Sequence, residues 1–108
     1  MKIRLENREY ELKANGRFML KYQETFGENM ISALYKAAQE KDVLACAKLT
    51  YCAITEELPP FNDWIDSFET PLFILQEMDS IFRFLTRSVE PSVKPNVAEN
   101  DAKKKTTN

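Results

Sequence analysis

The stretch DVLACAKLTYCAI (residues 42–54) decides how the rest of the chain reads. On a helix turning about 100° per residue, Val43, Leu44, Ala45, Cys46, Ala47, Leu49, Tyr51, Cys52, Ala53 and Ile54 cover the whole circumference. Only Lys48 and Thr50 interrupt them. A helix that is apolar on every side has to be wrapped by other elements. Asp42 stands where an N-terminal cap belongs, and the spacing predicts a bundle built around this helix.

Outward from it, both flanks supply the wrapping. Asn29 predicts a capped helix from residue 30 to about 41, with Met30, Ile31, Leu34, Ala37 and Ala38 on one side. Before it, Asn15 caps a helix of residues 17–26 whose inward stripe is Phe18, Met19, Tyr22 and Phe26, and Gly27 ends that helix in the left-handed conformation. Caps separated by short connections point to helices that are neighbours in space. At the start, residues 2–13 alternate, with Ile3 and Leu5, then Tyr10 and Leu12, facing inward around a Glu6-Asn7-Arg8 turn. A lone hairpin is only marginally stable, so it leans on the helices or adds its edge to another chain.

After the central helix, Pro59 and Pro60 stop helical geometry. FNDWIDSF (residues 61–68) reads as a short helix capped by Asn62, with Phe61 stapled against Ile65 and with Asp63 and Asp66 near the positive end of the dipole. Thr70-Pro71 predicts the start of a last helix running to about residue 88. Its core stripe is Ile74, Leu75, Met78, Ile81, Phe82 and Leu85, while Phe73 and Phe84, about three turns apart, form a second apolar line. From residue 90 onward, two prolines and scattered charge predict a flexible tail. The expected fold is mostly α: about five helices around a central apolar one, an N-terminal β-hairpin, one domain over residues 1–89 and a tail over 90–108.

Composition narrows function. A chain of 108 residues forms one domain with a modest core. A net charge of −2 gives no attraction to polyanions, so neither nucleic acid nor an acidic membrane is an expected partner. No run approaches the length of a membrane span, and the charged start lacks the apolar centre of a signal peptide. Cys46 and Cys52 fall on different faces of one helix, which excludes a disulfide between them and fits reduced, buried thiols in a cytoplasmic protein. With no histidine and two glycines, the usual triads, a cysteine–histidine zinc site and a glycine-rich phosphate loop are all missing. No enzyme, catalytic residue, metal or cofactor is expected. The acids at Glu56, Glu57, Asp63, Asp66 and Glu69 read as helix-end residues.

What remains is aromatic surface. Trp64, with Phe61 and Phe68, reads either as the core of its short helix or as a recognition surface. Phe73 and Phe84, off the core stripe, read as an apolar patch for another chain. Trp64, Phe68, Phe73 and Phe84 are therefore the candidate protein-binding residues.

The opening hairpin, then GRFMLKYQETFGEN (residues 16–29), LTYCAI (49–54) and FNDWIDSF (61–68) before a final apolar helix, resemble the small tail assembly chaperones of long-tailed bacteriophages. The likeness covers residues 2–89 in layout and is to the short form of a frameshifted pair. It implies a non-enzymatic role in virion morphogenesis in the host cytoplasm. The partner it implies is the tape measure protein, a long helical chain kept soluble until tube subunits polymerise around it. Tail tube protein, reached through a longer frameshifted product, and further copies of the same chain are the other partners implied. AKKK (residues 102–105) suits an adenine-rich slippery sequence. The competing reading is a small helical adaptor or regulatory protein-binding module unrelated to virions. A gene overlapped by a downstream frame and followed by a very long helical protein would separate the two.

Overall fold

The computed structural model describes residues 1–93. Strands β1 (Lys2–Leu5) and β2 (Arg8–Glu11) form an antiparallel hairpin with Ile3 opposite Tyr10 and Leu5 opposite Arg8. The turn is Glu6-Asn7, one residue shorter than expected, and Glu6 takes a positive φ of 59°. Alternation then places Ile3, Leu5, Tyr10 and Leu12 together in the core. The hairpin leans on its own chain. Leu12 bridges Ile54, Lys13 N–H donates to Ala53 O (2.9 Å), and Thr55 N–H donates to Glu11 O (3.0 Å).

Helices α1 (Gly16–Phe26), α2 (Met30–Glu40) and α3 (Val43–Ala53) start where their caps predict. Asn15, Asn29 and Asp42 each accept from the backbone N–H three residues on, at 2.9–3.1 Å. Gly27 closes α1 with φ 69° and donates to Gln23 O. Lys41 closes α2 in the same left-handed region (φ 54°), where a side chain is disfavoured and glycine is not. Its only ion pair among the described residues, with Asp79 at 3.9 Å, is exposed and contributes little. Lys41→Gly is therefore expected to stabilise the fold by about 1 kcal/mol, measured as a higher urea midpoint with unchanged slope; a lower midpoint would refute the assignment of strain.

The stripe on α1 is narrower than predicted. Phe18 and Tyr22 are buried and Phe26 partly so, but Met19, about 100° round from Phe18, is half exposed. On α2, Met30, Leu34 and Ala37 are buried, with Ile31 and Ala38 at the margin.

Helix α4 (Phe61–Asp66) begins one residue before the expected cap. Pro60 precedes it, Asn62 makes no capping bond, and Phe61 lies inside the helix rather than stapled ahead of it. The reason is aromatic: Phe61 sets its ring edge-on to Phe26 at 5.1 Å and to Tyr51 at 5.3 Å.

The largest departure is the last helix. Thr70-Pro71 opens turns, not an α-helix; a 3-10 turn at Leu75–Glu77 follows, and α5 runs from Met78 to Val93. Thr70 Oγ1 accepts only from Leu72 N–H (3.3 Å). The irregular path still buries Ile74, but it turns Leu75, expected in the core stripe, half into solvent. Within α5 the stripe is as predicted: Met78, Ile81, Phe82 and Leu85 are buried, joined by Val89. The helix passes the boundary expected at residue 89 and takes in the first four residues of the tail expected for 90–108, whose remainder, 94–108, lies outside the described residues.

Helix α3 packs on α1, α2 and α5 and carries seven buried residues, more than α1 or α2, so it is the centre of the bundle. Its wrapping is uneven. From Leu49 to Ile54 every residue is buried, but Leu44 is 55% exposed and Val43, Ala45 and Lys48 are only partly covered. A fully wrapped helix was expected; the N-terminal half lies open along one side.

Candidate functional site

That opening is one wall of a trough. Val43, Leu44 and Ala47 of α3 face Ile65 of α4 and the segment that follows, where Phe68, Pro71, Leu72 and Phe73 enclose about 530 Å³ of mainly apolar space. A second hollow, lined by Phe26, Phe61 and Lys48, shares Leu44 and Ile65 with the first, so the two lie side by side. Leu44 and Leu72 stand on the rim at 55% and 54% exposure. Single exposed leucines are ordinary, but these two border one apolar hollow and so form part of a contiguous patch, the arrangement that marks a partner site.

Four side chains were expected to form the binding surface, and they divide. Phe68 and Phe73 line the trough, stacked at 4.0 Å with planes 10° apart. Trp64 lies behind them, 1% exposed, edge-on to Phe68 at 5.0 Å and to Phe73 at 5.9 Å. Its indole N–H donates to the Tyr10 hydroxyl at 3.3 Å, so its role is to support the site from the core. Phe84 is half-buried against the core and is not in the trough lining. The line joining Phe73 to Phe84 does not exist, because Phe73 precedes α5 and the helical spacing assumed for the pair does not span residues 73–77. Leu44 and Leu72 were missed: Leu44 was counted as wrapped core, and Leu72 was not singled out within the helix expected from residue 71.

The wall that carries Phe68 is held by the hairpin turn, sixty residues away in sequence. Arg8 donates to Ser67 Oγ (2.7 Å) and Ser67 O (2.6 Å), with its guanidinium 4.3 Å above the Phe68 ring. Glu6 accepts from Glu69 N–H (2.9 Å) and Thr70 N–H (3.2 Å). These contacts tie down backbone groups that a loop of this shape would otherwise leave to water.

Among protein-family models, curated proteins and solved structures, nothing matches this chain. The trough must be read from its own chemistry. Among the described residues no cluster of acids and cysteines is placed to hold a metal ion, and no helix is long and apolar enough to cross a membrane.

The two cysteines belong to the core. Burial pushes the Cys46 thiol up to about 12, and burial, opposed by the Lys21 charge, pushes Cys52 up to about 11. The Tyr22 and Tyr51 hydroxyls are raised by burial too, Tyr22 also by its hydrogen bond to Glu28. Unfolded thiols ionise near pH 8.5, so above that pH the unfolded chain binds fewer protons than the folded one and stability falls as pH rises. The contribution is complete below about pH 8.5 and declines through the folded values near 11 and 12. We expect a melting midpoint several degrees lower at about pH 10.5 than at pH 8. At the lower pH, a disulfide reagent should label neither thiol until denaturant is added. Rapid labelling of the native chain would show that the thiols are not sealed.

Proposed function

We propose that the chain is a protein-binding chaperone whose trough seats a helical segment of its partner. The observation that carries this is the continuous apolar trough between α3, α4 and the Phe68–Phe73 stack, with Leu44 and Leu72 exposed along it. An apolar trough offers few backbone donors or acceptors, so an occupant has to satisfy its own peptide groups, and a helix does so where an extended strand does not.

The resemblance to tail assembly chaperones supplies the partner: the tape measure protein of a long-tailed phage, a long helical chain that aggregates without cover. Sheltering its apolar stripe, and releasing it as the tube grows, asks for reversible contact rather than catalysis. Phenylalanine and leucine anchors on an open trough suit contact with many related helical segments. The test is co-expression with a tape measure protein of a long-tailed phage. A soluble complex is expected with this chain and insoluble tape measure protein without it; equal solubility in both would reject the reading.

A further inference from the structure

The trough carries charge on one rim, and this restricts what it accepts. Asp66, at the end of α4, and Glu69, in the following loop, are the carboxylates lining the two hollows, and both are exposed. Neither has an ion-pair partner among the described residues. Asp63, also exposed, lies one turn before Asp66 on the same helix. The only cation in the lining is Lys48, whose ammonium sits 5.2 Å from the Phe26 ring centre. Arg8, the nearest basic group in sequence to the hairpin turn, is engaged on Ser67 and Phe68. The rim along α4 and the loop after it thus carries three exposed carboxylates, with Lys48 and Arg8 nearby but none of the three ion-paired among the described residues, beside an apolar floor.

We infer that the occupant is an amphipathic helix of another protein whose apolar stripe is bordered by lysine or arginine, docked so that its basic edge lies along Asp66 and Glu69. This rests on the trough being the binding site, and it adds a charge rule to that reading. A helix bordered by acids meets like charge at the rim, whereas a basic border supplies the missing partners and orients the helix.

Two synthetic helix-forming peptides test it, identical in their leucine stripe and bordered by lysine in one and glutamate in the other. Binding of each to the full chain is read by fluorescence anisotropy. The wild-type chain should bind the lysine peptide about tenfold more tightly, two exposed pairs contributing modestly each. High salt should shrink that ratio towards one. The Asp66→Lys, Glu69→Lys double variant, at exposed positions, should reverse the preference. Equal binding of both peptides by the wild-type chain would overturn the charge rule and leave the trough standing as the site. Failure of both peptides to bind, or full binding by a Leu44→Asp, Leu72→Asp chain, would instead remove the trough itself.

Discussion

Trp64→Ala is expected to cost about 3–5 kcal/mol, much of the total stability of a domain this size, which is on the order of 5–15 kcal/mol. Trp64 is the largest fully buried side chain, and its ring meets Tyr10, Tyr51, Phe61, Phe68 and Phe73 at centroid distances of 5.0–6.2 Å. Those rings come from the hairpin, α3, α4 and the trough wall, so no single element can close over the void. The deletion also leaves the Tyr10 hydroxyl without its indole donor. A fall of roughly 15–30 °C in melting temperature follows, read by circular dichroism because the sole tryptophan is lost. Trp64→Phe keeps most of the ring contacts and should cost about 1–3 kcal/mol. Should the alanine variant melt within a few degrees of wild type, Trp64 would not be the keystone described.

Leu44→Asp with Leu72→Asp should do the opposite: leave folding nearly intact and abolish binding. Both side chains are more than half exposed, so a carboxylate there stays hydrated in the free protein, and each change should cost less than about 1 kcal/mol. In the complex the same carboxylates would be pressed against an apolar helix without partners. Losing two anchors and adding that penalty corresponds to about 3 kcal/mol or more, a hundredfold or greater loss of affinity. In co-expression the partner should return to the insoluble fraction while the variant stays folded and soluble. A folded variant that still solubilises its partner would show that the partner binds elsewhere.

Much of this architecture was legible because its signals are local. A cap needs one side chain and an N–H three residues on, so Asn15, Asn29 and Asp42 were readable without knowing what they pack against. The core stripe of α5 and the inward set of the hairpin follow from periodicity alone. What could not be read depends on residues far away. Thr70-Pro71 has the form of a helix start, yet the chain forms turns there, with Glu6 from the hairpin holding the N–H groups of Glu69 and Thr70 just ahead of them. With that turn, Phe73 leaves the helical register that joined it to Phe84 and meets Phe68. Trp64 and Phe61 were placed near one another correctly, but Phe61 proved to be part of an aromatic chain from Tyr22 to Trp64 that only the packed bundle brings together. The trough was half legible: two of its phenylalanines were named from the sequence, while Leu44 was concealed by a helix that looked too apolar to have an outside and Leu72 by a helix start that the fold replaces with turns.

The bonds from Arg8 to Ser67 span 59 positions in the chain. During synthesis the hairpin emerges well before these partners and before the segment beside Ile54. A hairpin of this size has little persistence alone, and closing so long a loop is slow relative to winding adjacent helices together. The hairpin is therefore expected to settle after the helices downstream of it, and the wall of the trough to become rigid only then.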